Sequence, residues 1–248
     1  MKKIILLPLF IFLFLFGIKA NALSINYGIA KSYNGNRPYP GDKMHNLIVN
    51  NNGYYIASDT KDIYLTFDCG YENGYTKDIL RTLREENVKA IFFITGHYLK
   101  SATDIVREMI ADGHIIGNHS YNHKNFSKIS KDEMMKEINL LEDEYYKIFN
   151  TKLSKIVRPP EGAINDVNAK VLKEDGYMSL YWSLAYVDWY KDKFHGNHYS
   201  YNNVILRLHN GAIILMHTVS KDNMVDLKDI IIKAKELNYN FNTIDNIN

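Results

Sequence analysis

The side chains that could do chemistry fall at the ends of short apolar runs. Asp68 closes Ile63-Tyr64-Leu65-Thr66-Phe67, a β-branched and aromatic run that reads as a buried strand. His119 and His123 follow Ile115-Ile116 and stand four residues apart. On a helical turn that spacing brings two imidazoles to one side, as two ligands of one metal require. Arg158 follows Lys155–Val157 and precedes Pro159-Pro160, which restrict the backbone around the guanidinium. Facing Asp68, it would hold that carboxylate ionised and aimed, as a general base requires. His217 follows Ala212–Met216, the most apolar run of the main domain. Asp188 offers it a charge partner that would raise its pKa and keep a proton ready for a leaving group. Trp189 could wall a sugar ring. His195 and His198 form a second histidine pair in a Gly/Asn-containing loop; they read as solvent-exposed and rank below His119 and His123.

These residues need a scaffold that gathers them. From Ile63 onward, apolar runs alternate with amphipathic ones. Strands are expected at 63–67, 90–94, 115–116, 155–157, 178–182, 212–216 and 239–241. Helices are expected after a Thr76 cap, after Ser101 with Asp104, after the Ser130/Glu133 capping box, over 165–174 and over 226–237. Such alternation demands a parallel sheet with outer helices, as a closed barrel or as an open doubly wound sheet. No Gly-x-Gly-x-x-Gly turn follows the first strand, which weakens a nucleotide-binding reading. In a parallel α/β fold the carboxyl ends of the strands share one rim, so residues scattered in sequence meet in space.

The 248 residues, 46% hydrophobic and 23% charged, suit one packed domain. Lys2 and Lys3 precede an apolar run from Ile4 to Ile18, and Ala20-Asn21-Ala22 has the small-x-small pattern of a signal-peptidase site. We read 1–22 as a secretory signal, its run being shorter than a bilayer span, with no membrane span left after cleavage. Its loss removes three lysines and no acid, which turns the formal charge from +2 to −1 and argues against nucleic acid as a partner. Cys69 is the single cysteine, so an exported chain has no internal disulfide. Residues 23–61 form a polar, Gly/Pro/Asn-broken lead-in, expected to be loop-rich and packed on the main domain over 62–248.

Five ordered motifs carry a resemblance: Thr66-Phe67-Asp68-Cys69-Gly70, His119-Ser120-Tyr121-Asn122-His123, Arg158-Pro159-Pro160-Glu161-Gly162, Val187-Asp188-Trp189 and Leu215-Met216-His217. Together they resemble the polysaccharide deacetylases, the NodB-homology carbohydrate esterases. Gly70 to Thr76, Trp182 to Ala185 and His217 to Asn223 further resemble the subgroup that deacetylates muramic acid for the δ-lactam of spore-cortex peptidoglycan. The resemblance implies an α/β fold, a deformed (β/α) barrel of fewer than eight parallel strands. It implies export to the cell wall or the forespore intermembrane space, peptidoglycan glycan strands as substrate, and a muramoyl-L-alanine amidase acting upstream. It also implies a divalent metal on His119 and His123, Asp68 as base oriented by Arg158, His217 tuned by Asp188 as acid, and a substrate pocket from Trp189, Leu215, Tyr71 and Pro160.

Cys69 departs from that pattern, since most of the family has a metal-binding Asp there. Three outcomes are open: a thiolate ligand giving a Cys-His-His site, a thiol that only lines the site, or a site too weak for metal. Softness and proximity favour the first, and with it zinc. Two other functions compete: deacetylation of N-acetylglucosamine in cell wall or chitin-like glycan, and non-catalytic binding of wall glycan. Glycoside hydrolysis would need two opposed carboxyls.

Overall fold

The computed structural model describes residues 24–244 and Ile247, so the apolar amino-terminal run and Ala20-Asn21-Ala22 lie outside the described residues. In chain order the elements are β1 (Ser24–Asn26), α1 (Asp42–Asn50), β2 (Gly53–Tyr54), β3 (Asp62–Cys69), α2 (Thr76–Glu85), β4 (Ile91–Ile94), α3 (Gly96–Ser101) and α4 (Thr103–Ala111). Next come β5 (Ile115–Asn118), α5 (Lys131–Phe149), β6 (Ile156–Val157), a 3₁₀ turn at Pro160–Gly162, β7 (Ala163–Asn165), α6 (Asp166–Glu174) and β8 (Met178–Leu180). The chain continues through α7 (Tyr199–Ile205), β9 (Ile213–His217), α8 (Lys221–Glu236) and β10 (Asn240–Phe241). Among the described residues no helix is long and apolar enough to cross a membrane.

The sheet runs β9-β3-β4-β5-β6-β8-β2, all parallel, with β10 lying beside the start of β3. It closes on itself. Beyond β8 the chain reaches Leu184, which bridges Ile214 of β9, and Ile56 beyond β2 bridges Ala212. The result is a deformed barrel of seven strands rather than an open doubly wound sheet.

Strand alternation sorts two cores. Leu65, Phe67, Phe92, Ile94, Ile214 and Met216 point outward and pack with Ile79, Leu83, Met109 and Ile230 of the surrounding helices. Tyr64, Ile91, Phe93 and Ile213 point inward and fill the barrel with Ile156 and Leu180. Continuing the inward series along β3 and β9 brings Asp68, Leu215 and His217 to the open end of the barrel. Gly117 is required there, because a Cβ at that position would meet Phe93 Cε1 at 2.6 Å.

Several local expectations change. The lead-in contains a full helix, α1, whose Leu47 and Ile48 join Ile25, Tyr27 and Tyr55 in a third core against α5 and α6. Its polar composition hid the two apolar positions that face inward. Thr76 does not cap α2; the Glu72 carboxylate accepts from Gly74 N and Thr76 N instead. Ser101 ends α3 rather than opening α4, its hydroxyl donating back to His97 O, and Thr95 caps α3. The last helix begins five residues before Asp226, because Ser220 accepts from Asn223 N.

Candidate active site

Asp68, the last inward-facing residue of β3, has the wholly buried Arg158 against it. Arg158 Nη1 donates to Asp68 Oδ1 at 2.8 Å, Nη2 to Thr66 Oγ1 and Tyr181 O, and Nε to Leu180 O. The guanidinium lies 4.3 Å from the Phe93 ring centroid, so the room made by Gly117 also seats the cation. Burial alone would raise the Asp68 pKa; the charge and hydrogen bond of Arg158, joined by His217, outweigh it and hold the carboxyl below its ordinary value.

His119 follows β5 and is buried, with Nε2 3.4 Å from Asp68 Oδ2. Its Nδ1 lies 2.8 Å from Arg158 O, which can only accept, so Nδ1 carries the proton and Nε2 keeps its lone pair. Burial lowers its pKa to about 4 against the pull of Asp68. The His123 ring lies edge-on at 4.9 Å between centroids. No helical turn brings the two together: Ser120 and His123 have φ of 65° and 56°, and the segment is a tight loop. Glu137, buried on α5, holds that loop. Its carboxylate accepts from Ser120 Oγ, Asn122 N and Asn122 Nδ2 at 2.7 to 3.0 Å. Burial works to raise the Glu137 pKa, but the hydrogen bonds from Asn122, Ser120 and Lys124 depress it. Sequence reasoning passed over this residue, although an acid beside Ile138 in the Met134/Ile138/Leu141 stripe is a legible anomaly.

On the neighbouring strand β9, in register with Asp68, His217 Nδ1 meets Asp188 Oδ1 at 2.7 Å, and its backbone N–H donates to Asp188 Oδ2 at 2.8 Å. Asn223 Nδ2 donates to Asp188 Oδ2 at 2.6 Å and to His217 O at 2.9 Å. Burial works against a charged His217, yet the charge and hydrogen bond of Asp188 prevail and raise its pKa above the ordinary value. The ring is partly open, its side chain 22% exposed, with Trp189 edge-on at 5.9 Å. Asn223 was also missed; its signal is a polar trio, Asp222, Asn223 and Asp226, on the buried face of α8.

One cleft of about 1140 Å³ takes in Asp68, His119, His123, Leu215 and His217, with Tyr71 and Trp189 on its walls. Gly28, Ile29 and Lys31 of the lead-in form another wall. Four expected members do not line it: Arg158 and Asp188 stand behind Asp68 and His217 as their partners, and two others are placed elsewhere. Pro160 is buried in its turn, and Glu161, at φ 59°, takes the wall. Cys69 points outward: alternation after Asp68 turns it into the core between sheet and helices, where Thr218 Oγ1 donates to its sulfur at 3.6 Å. Burial pushes its pKa well up, and its place in the outer core, away from the cleft, puts it outside the set of possible metal ligands. His198 is exposed as expected, but His195 is not: it packs on Tyr199 with 3.8 Å between ring centroids and meets Asp222 Oδ2 at 2.8 Å.

The donor set for a metal is therefore two imidazoles. The free Nε2 lone pair of a neutral His119 is the right ligand form, fixed by the bond from its other nitrogen. Among the described residues no group of three or more His, Cys, Asp or Glu is arranged to hold a metal ion, so further ligands would have to come from water or substrate.

The sequence model of the polysaccharide deacetylase family matches residues 56–180. Peptidoglycan-N-acetylmuramic acid deacetylase PdaA of Bacillus subtilis is 38% identical over 224 residues, 90% of this chain and 85% of that protein. A peptidoglycan-N-acetylglucosamine deacetylase of Bacillus cereus is 34% identical over 174 residues, 69% of this chain and 62% of that protein. The solved structure of Bacillus subtilis PdaA, described as a family 4 carbohydrate esterase, superimposes with a TM-score of 0.87, covering 90% of this chain and 96% of that one.

Proposed function

Because the chain belongs to the polysaccharide deacetylase family, we propose that it is a peptidoglycan N-deacetylase that removes the acetyl group from N-acetylmuramic acid, a hydrolase of carbon–nitrogen bonds. The observation that carries the reading is a carboxylate ion-paired to Arg158 and, on the strand beside it, an imidazole paired to Asp188, both opening into one cleft. An amide needs both, since water must lose a proton as it attacks and the amine must gain one as it leaves.

Asp68 Oδ2 takes the proton of the attacking water, while Oδ1 stays with Arg158. His217, protonated and held by Asp188, faces the cleft to deliver a proton to the departing nitrogen. Leu215 and Trp189 shape an apolar wall for the acetyl methyl. The family resemblance implies a divalent cation; His119 Nε2 and His123 would hold it, and when bound it supplies Lewis-acid polarisation of the acetamide carbonyl. With Cys69 outside the donor set, the soft-ligand argument for zinc falls away, because imidazoles suit several divalent metals.

The finer reading is that export takes this enzyme to the cell wall or the forespore intermembrane space. There it acts after a muramoyl-L-alanine amidase and prepares the δ-lactam of spore cortex. Mature protein mixed with amidase-stripped glycan should release acetate and expose the muramic amine, and folded Asp68→Asn should not. Undiminished release by that variant would sink the mechanism, and glycan binding without acetate would favour a non-catalytic module. The likeness to a peptidoglycan-N-acetylglucosamine deacetylase supports a second reading, separated by which sugar gains the amine.

A further inference from the structure

Two arginines are deeply buried in this molecule, and they are satisfied very differently. Arg158 makes four hydrogen bonds and pairs with a carboxylate. Arg207 follows α7, is 4% exposed and lines the cleft. Its Nη1 donates to Ala185 O at 2.8 Å, its Nε is buried with no hydrogen-bond partner, and among the described residues no carboxylate pairs with it. A guanidinium cannot shed its charge to escape this, and an uncompensated buried cation is costly. Its backbone is pinned as well: His209 donates from Nδ1 to Arg207 O at 2.9 Å and meets Ser183 Oγ at 2.8 Å through Nε2, which fixes the turn against the segment that closes the barrel.

The surroundings ask for an anion. Among the residues lining the cleft the carboxylates are Asp68 and Glu161, and both are engaged, the first by Arg158 and the second by Asn125 Nδ2. Lys31 from the lead-in wall and Lys100 of α3, the latter 3.8 Å from Glu144 Oε1, add further cations. The position is also informative. Ala185, which anchors Nη1, follows Leu184, whose carbonyl accepts from Leu215 N at 2.9 Å, and Leu215 belongs to the wall assigned to the acetyl group. Arg207 is thus anchored one residue from the segment that pairs with Leu215, and both line the same cleft.

We infer that Arg207 reads the free lactyl carboxylate of muramic acid. That group hangs from C3 of the sugar, next to the C2 acetamide, so a substrate with its acetamide at His217 and Leu215 carries the anion to the neighbouring subsite. A charge-assisted contact with the face of the guanidinium that lines the cleft supplies the counter-charge Arg207 lacks within the protein. Glucosamine lacks the group, and muramic acid with its stem peptide attached has turned it into an amide. Arg207 thus makes prior removal of the peptide a condition of tight binding. The inference rests on the reading of the chain as a muramic acid deacetylase, and it names the feature of the substrate that this site selects.

The test is binding by calorimetry to mature Asp68→Asn protein, which leaves the ligand intact. Three ligands are compared: an amidase-stripped glucosamine–muramic acid tetrasaccharide, the same compound with its lactyl carboxylates converted to N-methylamides, and the tetrasaccharide with stem peptides. The free carboxylate should bind roughly ten- to a hundredfold tighter than the N-methylamide, as expected for a charge-assisted contact. Adding Arg207→Gln should abolish that preference and Arg207→Lys should keep part of it, thermal melts confirming that both variants fold. Equal binding of acid and amide by Asp68→Asn protein overturns the inference without recourse to any Arg207 variant. So does a preference that survives Arg207→Gln, or binding of the peptide-bearing form that is equally tight and equally dependent on Arg207. Acetate release by wild-type protein is measured separately, and its absence would remove the deacetylase reading while leaving the acid–amide result to stand or fall alone.

Discussion

Two neighbouring pairs at the cleft, one on β3 and one on β9, solve opposite problems with the same kind of contact. In one a carboxylate, Asp68, meets a cation that cannot titrate; in the other a carboxylate, Asp188, meets a cation that can. Arg158 is sealed from solvent, whereas the His217 side chain is 22% exposed to the cleft. A fixed positive charge leaves the carboxylate as the group that exchanges protons, and a fixed negative charge leaves the imidazole. The proposed base and the proposed acid are thus told apart by their partners, in pairs of similar length, 2.8 and 2.7 Å. Each side also has a buried support from a helix, Glu137 under the His119–His123 loop and Asn223 under Asp188.

The comparison breaks most sharply at the base. Asp68→Asn should cut acetate release about 10²- to 10⁴-fold with the fold retained, measured as kcat/KM on stripped glycan; a loss under tenfold would move the base elsewhere. Glu137→Ala tests whether the His119–His123 loop depends on its buried clamp. Metal affinity, read by competition with a chelator, should fall roughly 10- to 100-fold, as for other groups that orient metal ligands. Unchanged affinity would make Glu137 merely a packing residue. At the second pair Asn223→Ala removes a charge-assisted hydrogen bond to Asp188 and one to His217 O, and we expect a loss of about 1.5 kcal/mol, roughly tenfold lower kcat, with metal affinity unchanged. A fall in metal affinity there would show that the two sides are not independent. The smallest effect belongs to Cys69→Ala, which should lower stability by about 1 kcal/mol, seen in denaturant unfolding, and leave metal content and acetate release as they were. Lost metal would restore the thiolate reading.

How far the sequence carried these assignments differs by kind of residue. Asp68, His119, Arg158, Asp188 and His217 were legible because each ends an apolar run, and a parallel barrel makes run ends converge. The orientation of Cys69 was legible in the same alternation, since a residue next to an inward Asp68 must face out, but its position in a familiar motif drew attention to proximity instead. The loop of His123 was not legible: two residues at positive φ cannot be told from a helical turn by spacing alone. Glu137, Asn223 and Arg207 reach the site from helix or loop segments far along the chain, and their roles depend on tertiary contacts that no local pattern encodes. Helix α1 was hidden for a related reason, its stability coming from Leu47 and Ile48 packing on a distant core rather than from a strong local stripe.

The division of labour between the two pairs is tested most directly by the pH dependence of kcat/KM for wild type and Asp188→Asn. Asp68 must be ionised, so activity rises as pH passes its depressed pKa. His217 must be protonated, so activity falls as pH passes its raised pKa. Removing the charge of Asp188 lowers the His217 pKa, and the alkaline limb should move to lower pH while the acid limb stays in place. An alkaline limb that does not move, or an acid limb that moves in its stead, would contradict the assignment of His217 as the acid and Asp68 as the base.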